Sequence, residues 1–386
     1  MMEQPSLPTR EDELADVIAD AAREGVRLAI TGGGSKSGFG APIEARPLSM
    51  RGFAGVVDYD PAELVLTVRV GTPLAEVEAL VAEQNQMLAF EPFDHGPIYG
   101  APAGAATIGG TVAAGVAGSQ RLSHGGARDH LLGFRAVSGR GEPFVAGAKV
   151  VKNVTGYDLP KLAAGSWGRL FAMTEVTLKV LPHPRAYATR AIEGLDEAQA
   201  VKAMAVAMGS QAEIAAAAHL PGCGRNGRAL TAFRIQGVGP SVAARGAMLD
   251  TLLAAFGKVE ALDETEGKRV WDGLRTLSPL PANQPLWRIN VAPSASLAVV
   301  SALRPLGAQW LFDWAGGLIW MTFDGDPQAV RAAAAAAGGH ATLARAPAAT
   351  RAAVPAFHPQ APGVAALEER VRRAFDPARL FETGRF

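Results

Sequence analysis

The sequence predicts an α+β protein with two domains. Its 386 residues exceed the length at which a single hydrophobic core usually stops growing. Segments with the 3.6-residue period of helices alternate with short apolar segments typical of strands. In the second half, one order of strands and helices occurs twice, which predicts antiparallel sheets covered by helices.

Composition excludes several classes of protein. Apolar residues make up 48% of the chain and charged residues 19%, as in globular rather than disordered proteins. The 37 Lys and Arg residues equal the 37 Asp and Glu residues, so charge gives no reason to expect nucleic acid as a partner. A single cysteine, Cys223, excludes an internal disulfide and an iron–sulfur cluster held by this chain.

The sequence gives no sign of secretion or of a membrane span. Residues 1–10 lack the apolar core of a signal peptide. The alanine-rich run 332–337 is too short to cross a bilayer. We therefore expect a cytoplasmic protein, with peripheral attachment through a partner left open.

The first helix and strand lead to a glycine cluster. Thr9-x-x-Asp12 resembles a capping box, and Gly25 is a typical helix end. Apolar residues repeat at helical spacing between them, at Leu14, Val17, Ile18, Ala21 and Ala22. A strand over 26–30 then precedes the glycines.

The elements up to the domain boundary follow from the same patterns. Strands are predicted at 55–59 and 64–70, and Thr72-Pro73 is a typical N-cap and first turn. That helix has an apolar face of Leu74, Val77, Leu80 and Val81. Further strands are predicted at 87–90, from 132 to a turn at 139–141, after that turn, and at 171–181. Pro182 and Pro184 then interrupt the chain, so we place the boundary after residue 183.

The second half resembles two split βαβ units. The first is predicted to comprise strand 187–192, helix 198–208, strands 213–219 and 229–235, and helix 241–256. The second is predicted to comprise strand 286–291, helix 295–304, strands 308–313 and 317–323, and helix 327–337. A last helix carries one apolar side of Val364, Leu367, Val371 and Phe375. The predicted divisions are 1–183, 184–355 and a C-terminal segment, 356–386, that returns to the first domain.

Two glycine clusters and a third segment carry the functional signal. The clusters are Thr31-Gly-Gly-Gly-Ser-Lys-Ser-Gly38 and Thr107-Ile-Gly-Gly-Thr-Val-Ala-Ala-Gly115. The third segment is Lys152-Asn-Val-Thr-Gly-Tyr-Asp158, followed by Gly165-Ser-Trp-Gly168. Glycine lets the main chain approach a ligand and supplies positive φ, so these segments predict backbone amides close to a bulky anion.

The first cluster matches neither of two common phosphate-binding loops. A phosphate-binding Walker loop needs Gly before its Lys, but Lys36 follows Ser35. A dinucleotide fingerprint needs a third glycine opening a helix, but position 37 is Ser and Pro42 follows closely. Taken alone, the first cluster could be an ordinary turn and the second a tightly packed buried helix.

Together, the segments resemble the FAD-binding domain of the vanillyl-alcohol oxidase and para-cresol methylhydroxylase (PCMH) superfamily. The match covers about residues 10–183. Leu286-Trp-Arg-Ile-Asn290, the segment 312–320 and the terminal Phe-x-x-Gly-Arg extend it. With these, the whole chain is similar to the smaller flavin subunit of bacterial glycolate oxidases (glycolate dehydrogenases). The resemblance implies a PCMH-type FAD-binding domain followed by a cap domain.

The resemblance also implies which residues hold FAD. The diphosphate would lie on Thr31, Gly32, Gly33, Gly34, Ser35 and Lys36. The diphosphate and flavin would be lined by Pro102, Thr107, Ile108, Gly109, Gly110, Ala113 and Gly115. Gly165, Ala172 and Met173 would contact the adenine end, and Tyr157 and Asp158 would support the wall of the site.

Several residues depart from the family pattern, and these departures change what the resemblance implies about FAD attachment and metal binding. Covalent relatives attach FAD through a histidine or cysteine, but Lys36, Ser37 and alanines stand at those places, which implies non-covalent FAD. The C-terminal His-x-Gly-Asp-Gly-Asn-x-His segment of 2-hydroxy-acid oxidising relatives is missing, so we expect no metal site. The tail has Glu382-Thr383 in place of the usual Asn-Pro, and Ser166-Trp-Gly-Arg169 replaces Ser-Glu-Gly-Thr.

Two residues are candidates for chemistry. His124 could accept a hydroxyl proton, or it could be a structural histidine. Arg288 could bind a carboxylate through two parallel bonds, or it could pair with Asp313.

The resemblance implies an FAD-dependent oxidoreductase subunit that assists oxidation of glycolate to glyoxylate. Its partners would be a larger FAD-linked subunit and an iron–sulfur subunit, and the chain could be inactive alone. The alternatives are a stand-alone FAD-dependent 2-hydroxy-acid dehydrogenase and a structural flavin subunit without turnover.

Overall fold

A computed structural model of the chain describes residues 6–148 and 156–386. The chain forms two compact units. The first combines Met1–Gly118, Gly125–His183 and Pro359–Phe386, and the second combines Ser119–His124 with Pro184–His358. The first unit therefore collects segments from both ends of the sequence.

The first half of the chain contains short helices among short strands. In chain order they are α1 (Glu11–Glu24), β1 (Leu28–Thr31), β2 (Arg46–Ser49), β3 (Val56–Asp60), β4 (Val65–Arg69), α2 (Leu74–Glu83), β5 (Gln86–Met87), α3 (Ile108–Ala113), α4 (Arg121–His124), α5 (Ala127–His130), β6 (Leu131–Ser138), β7 (Pro143–Gly147), α6 (Leu159–Ala163), β8 (Phe171–Lys179) and β9 (Leu181–Pro182).

The first unit is built around an antiparallel sheet with strand order β3-β4-β8-β6-β7. A separate parallel pair, β1-β2, carries the first glycine cluster at the end of β1. Helix α1 packs its apolar side, with Leu14, Ile18 and Ala21 fully buried, into the same core.

The C-terminal segment completes that core. The amide of Leu28 in β1 donates to the carbonyl of Leu380 at 2.7 Å, and the amide of Gly139 donates to the carbonyl of Phe375 at 2.9 Å. The carboxylate of Asp376 accepts the amides of Leu380 and Phe381, whose side chains are both buried. The last residues are thus part of the packing of the first unit.

The second half contains β10 (Ala186–Glu193), α7 (Glu197–Met208), β11 (Ala216–Leu220), β12 (Leu230–Gly237), α8 (Gly239–Leu253), β13 (Val259–Leu262), α9 (Glu264–Thr276), β14 (Leu286–Asn290), α10 (Ser296–Leu303), β15 (Gln309–Asp313), β16 (Leu318–Thr322), α11 (Pro327–Ala336), β17 (His340–Arg345), α12 (Ala348–Ala353) and α13 (Pro362–Phe375).

The second unit is one antiparallel sheet with strand order β13-β10-β12-β11-β15-β16-β14-β17. Each half of this order repeats the same topology, β-α-β-β-α-β, with the fourth strand beside the first. The two halves meet where β11 pairs with β15. The observed architecture confirms the α+β class and the antiparallel sheet covered by helices.

Two predicted helix caps are wrong. Helix α1 has Arg10 as its N-cap, without a side-chain bond, because the amide and hydroxyl of Thr9 both bind the carboxylate of Glu13. Helix α2 begins after Pro73, because the hydroxyl of Thr72 donates to the carbonyl of Arg69 and so faces the preceding turn.

Some elements of the structure differ from those predicted from the sequence. Strand β13, helix α9 and strand β17 were not predicted, although Asp263 and Glu266 form a true capping box at the start of α9. In place of the predicted strand 87–90, the structure has a two-residue strand, β5 (Gln86–Met87). Helix α13 forms as predicted, but Val364 is 54% and Leu367 52% exposed, so its apolar side is only partly covered.

Candidate functional site

The loop after β1 presents unused backbone donors. Within the described residues, the amides of Gly33, Gly34, Ser35 and Lys36 donate no hydrogen bond. Gly34 has φ +80°, a conformation that side-chain-bearing residues rarely adopt. Consecutive amides around such a residue form a concavity that binds anions, so the loop fits a phosphate.

The glycines of this loop have different roles. A Cβ on Gly33 would overlap the carbonyl of Ala105, and one on Gly32 would overlap the hydroxyl of Thr107. These two glycines let the loop pack directly on the segment before α3. A Cβ on Gly34 would meet nothing within 4 Å, so Gly34 faces open space.

The second glycine cluster supplies surface rather than donors. The amides of Ile108 and Gly109 donate to the carbonyls of Thr72 and Val70, and the Thr107 hydroxyl caps α3 by accepting from Gly110 at 3.3 Å. A Cβ on Gly109 would overlap the side chain of Val70. The first amides of α3 therefore already have hydrogen-bond acceptors within the protein. A ligand would instead meet small side chains there, which permit close contact with the backbone.

The two clusters line one cleft of the first unit. It contains about 1100 Å³ of empty space, part of it open to solvent, which is at the upper end of small-molecule pockets. Residues predicted for FAD that line it are Thr31, Gly32, Gly33, Gly34, Ser35, Lys36, Thr107, Gly109, Gly110, Ala113 and Met173.

The cleft is lined by cations. Lys36, Arg169 and Arg385 contribute to its wall, and no Asp or Glu is among its described lining residues. Burial lowers the pKa of Lys36 to about 8, and the negative charge of Asp94 opposes that shift. A buried ammonium beside unpaired backbone amides suits the diphosphate of a dinucleotide. The negative charge of the diphosphate would favour the protonated form of Lys36, which burial disfavours.

Aromatic side chains close part of this cleft. The rings of Phe39 and Trp167 stack with centroids 4.2 Å apart. The ring of Phe386, the last residue, lies 5.5 Å from Phe39 and 5.6 Å from Trp167. Trp167 adopts φ +57°, which orients it within the glycine-flanked turn 165–168. Neither Trp167 nor Phe386 was among the residues predicted for the site, although Trp167 stands in the segment Gly165–Gly168 and Phe386 directly follows the terminal Phe-x-x-Gly-Arg motif.

Other predicted residues lie away from the cleft wall. Ile108 and Ala172 are fully buried in the core, and Pro102 is exposed. Gly115 and Gly165 face each other, since a Cβ on Gly115 would contact the Cα of Gly165 at 3.2 Å. Their assignment to FAD stays a prediction.

The third segment is only partly described. Residues 152–155 lie outside the described residues. Tyr157 is 92% exposed, and Asp158 caps α6 by accepting the amide of Lys161. Neither side chain is among those that line the cleft.

The two candidates for chemistry both belong to the second unit. The Nδ1 of His124 lies 2.8 Å from the hydroxyl oxygen of Ser123, and the same oxygen lies 2.8 Å from the carbonyl oxygen of Ala215. The guanidinium of Arg288 donates to the side-chain oxygen of Asn290 at 2.6 Å. Among the described residues Arg288 has no ion pair with Asp313, so the pairing considered as an alternative is not found.

The described residues form neither a metal centre nor a membrane-spanning helix. The described part of the chain contains no group of three or more His, Cys, Asp or Glu side chains placed to hold a metal ion. None of its helices has the length and apolar character needed to cross a bilayer.

Comparisons with known proteins agree with this geometry. Residues 6–147 match the family model described as an FAD binding domain. The chain is 33% identical over 376 residues to a protein of Escherichia coli named glycolate oxidase subunit GlcE, covering 96% of both chains. It is 29% identical to a D-2-hydroxyglutarate dehydrogenase of Xanthomonas citri, over 46% of this chain and 37% of the relative.

Solved structures support the fold. A p-cresol methylhydroxylase aligns with a TM-score of 0.71 at 14% identity, covering 98% of this chain and 87% of that one. An alkyldihydroxyacetonephosphate synthase aligns with a TM-score of 0.69 at 16% identity, covering 97% and 76%. At these identities the likeness concerns the fold alone.

Proposed function

Because the chain belongs to the family of the glycolate oxidase subunit GlcE, within the FAD-binding superfamily of p-cresol methylhydroxylase, we propose that it is the FAD-binding subunit of a glycolate-oxidising complex. In this proposal it assists the two-electron oxidation of glycolate to glyoxylate. The observation that carries the proposal is the cleft of the first unit, whose free amides and Lys36 suit a diphosphate.

The chain's own residues have distinct tasks in binding FAD. The amides of Gly33–Lys36 would hold the diphosphate, and the ammonium of Lys36 would neutralise part of its charge. The small residues of α3 would let the cofactor lie against the backbone. When bound, the flavin supplies a two-electron acceptor that the side chains of this protein cannot provide.

We propose that the cofactor is held without a covalent bond. The described residues that line the cleft include no His and no Cys, the residues through which related proteins attach a flavin. The single Cys223 is a residue of the second unit. Denaturation should therefore release all of the flavin into the supernatant.

We further propose two partners, a larger FAD-linked subunit and an iron–sulfur subunit that receives the electrons. A Bacillus subtilis protein named glycolate oxidase subunit GlcD is 27% identical over 46% of this chain. The larger subunit would carry the acid–base chemistry on the hydroxy acid. We place the complex in the cytoplasm, with attachment to the membrane through its partners.

The proposal is tested by reconstitution. The chain should purify yellow, with close to one FAD per polypeptide, and glycolate should not bleach the flavin of the chain alone. After addition of the larger and iron–sulfur subunits, glycolate should reduce this flavin, which is followed by the loss of its visible absorbance. A colourless preparation would contradict the proposal, and turnover of glycolate by the chain alone would favour a stand-alone dehydrogenase.

A further inference from the structure

A loop before the second glycine cluster is closed by one carboxylate. The half-buried Asp94 accepts the amide of Gly96 through Oδ1 at 2.8 Å and the amide of Gly104 through Oδ2 at 2.8 Å. These amides stand near the two ends of residues 94–106, which we call the Asp94 loop. A Cβ on Gly96 would lie 2.9 Å from the carbonyl oxygen of Pro102, so the two ends are in close contact. A single side chain therefore holds the loop in its shape.

The Asp94 loop supports the first glycine cluster at two points. A Cβ on Gly33 would lie 1.4 Å from the carbonyl oxygen of Ala105, so the two backbones are in direct contact. The ring of Tyr99 packs against Gly38, where a Cβ would lie 3.0 Å from the ring. The segment between these contacts presents the unpaired amides described above. The shape of the Asp94 loop therefore determines where those amides lie.

Asp94 also acts on Lys36 through its charge. It is not among the residues that line the cleft, so it stands behind the wall that a cofactor would contact. Burial lowers the pKa of Lys36 to about 8, and the negative charge of Asp94 opposes that shift. The other charged side chains of the described wall, Arg169 and Arg385, are cations and disfavour a further positive charge. Asp94 therefore favours the protonated form of Lys36.

We propose that Asp94 is a positioning residue for the cofactor: it fixes the loop that supports the anion-binding amides and places a negative charge near Lys36. The ligand is the diphosphate of FAD, as in the proposed function on which this role rests. A carboxylate in the cleft wall would repel a diphosphate. Because Asp94 stands behind the wall, it acts on the diphosphate through the loop and through Lys36.

The role is tested by the FAD affinity of Asp94→Asn at pH 6 and pH 8. The substitution keeps the size of the side chain but removes the charge and one of the two amide acceptors. At pH 6 Lys36 is protonated in both proteins, so the loop alone contributes and binding should weaken by about 3- to 10-fold. At pH 8 Lys36 is also mostly neutral in the variant, and the loss should reach about 10- to 100-fold. Equilibrium dialysis of the full-length chain measures both values.

A second background identifies the contribution of Lys36. Arginine keeps its proton at pH 8, so in Lys36→Arg the substitution Asp94→Asn should weaken FAD binding by the same factor at pH 6 and pH 8. With lysine at position 36, a loss that is equal at the two pH values would show that Asp94 does not influence the protonation of Lys36. That result would overturn the proposal.

Asp60→Asn is the matched control. Asp60 also accepts two backbone amides, those of Ala62 and Glu63 at 3.0 and 3.1 Å, in a turn of the same unit that does not line the cleft. Its substitution removes the same charge and should leave FAD affinity unchanged at both pH values. Equal losses in the two variants would show a general effect of the lost negative charge and would contradict a role specific to Asp94.

The loop can also be followed without the cofactor. In the full-length chain freed of FAD, hydrogen exchange of peptides that cover the Asp94 loop should be faster in Asp94→Asn than in the wild type, because an amide of Gly96 or Gly104 loses its acceptor. Unchanged exchange would overturn the proposed closure of the loop. Wild-type protein that binds no FAD at pH 6 would contradict the proposed function. If the wild type binds FAD and Asp94→Asn binds it equally well, the role of Asp94 alone fails.

Discussion

Lys36 links cofactor binding to proton binding. Its ammonium lies in a cleft with no described carboxylate in the wall, and burial lowers its pKa to about 8. In the unfolded chain the pKa returns to 10.5, so Lys36 makes the cofactor-free protein gain stability as pH rises from about 8 to 10.5. A bound diphosphate would raise the pKa again.

The first prediction is a pH dependence of FAD affinity. Below pH 8 Lys36 is already protonated, but above it binding must take up a proton, so the dissociation constant should rise by up to about tenfold per pH unit. Lys36→Arg should remove this dependence, and Lys36→Gln should weaken binding at pH 7 by about 10- to 100-fold. Flavin fluorescence titrations at pH 7, 8 and 9 measure this. A flat profile in the wild type would show that Lys36 does not face the phosphates.

The second prediction concerns Gly34. Gly34→Ala should cost about 1–2 kcal/mol of folding free energy, because φ is +80°, and its methyl group should enter the cleft. We expect FAD affinity to fall at least tenfold while the protein stays folded. Gly307→Ala is the matched control, since Gly307 has φ +88° and equally open surroundings in the second unit. Equal FAD affinity in both variants, measured by equilibrium dialysis, would argue against a ligand at Gly34.

Residue-scale roles were predictable only in part. The glycine clusters predicted backbone amides close to a bulky anion, and Thr31–Lys36 line the cleft that the structure shows. The sequence could not show that Gly32 and Gly33 are needed for packing on Ala105 and Thr107. That depends on contacts between segments about 70 residues apart.

At the scale of elements, an ion pair joins helix α13 to Arg169, the residue that follows the glycine-flanked turn 165–168. The guanidinium of Arg169 lies 2.9 Å from the carboxylate of Glu368, and both side chains are half-buried. Burial lowers the pKa of Arg169. Glu368 also lies 3.6 Å from Arg372, so the pair belongs to a network along α13. Networks of partly buried pairs contribute more than isolated surface pairs.

The third prediction tests this connection. Arg169→Gln should lower the free energy of unfolding by about 1–3 kcal/mol, because it leaves a half-buried carboxylate with one partner fewer. Arg373→Gln, which removes an exposed partner of Glu369, should cost about 0.5 kcal/mol or less. Urea unfolding measures both. If the two variants lose the same stability, the Arg169–Glu368 pair is no stronger than a surface pair.

The fourth prediction concerns the aromatic cover. Phe386→Ala removes the ring that contacts Phe39 and Trp167, so FAD should dissociate about 2- to 10-fold faster. Tyr157→Ala serves as the control, because Tyr157 is exposed and absent from the cleft wall. Dissociation is followed by the recovery of flavin fluorescence after dilution. A larger effect at Tyr157 would favour its predicted role in the site.

At the scale of the whole molecule, the sequence predicted individual helices and strands better than contacts between distant segments. The repeat of strands and helices in the second half was visible because each element has its own period and turn residues. Strands β13 and β17 lie at the two edges of the sheet, where burial is incomplete. Strand β13 has four residues and none of them is fully buried, and in β17 buried and exposed residues do not alternate regularly, so neither has a clear strand period. The position of Arg121 beside Trp314 had no local signal, because it depends on how distant segments fold together.

The fifth prediction is that the first unit does not form without the end of the chain. A protein ending at His358 lacks the bonds from Leu28 to Leu380 and from Gly139 to Phe375, so it should bind no FAD. Leu380→Ala in the full chain should lower the free energy of unfolding by about 2–5 kcal/mol while retaining some FAD. Flavin content and circular dichroism report both effects. Stoichiometric FAD in the truncated protein would show that residues 359–386 are dispensable.

The return of the C-terminus to the first unit has a consequence for biosynthesis. Domains usually fold in the order in which the ribosome makes them. Here the partners of Leu28 and Gly139 lie beyond the second unit, so they are translated only after Pro184–His358. The first unit therefore cannot complete its core, or its cofactor cleft, before the whole second unit has been synthesised.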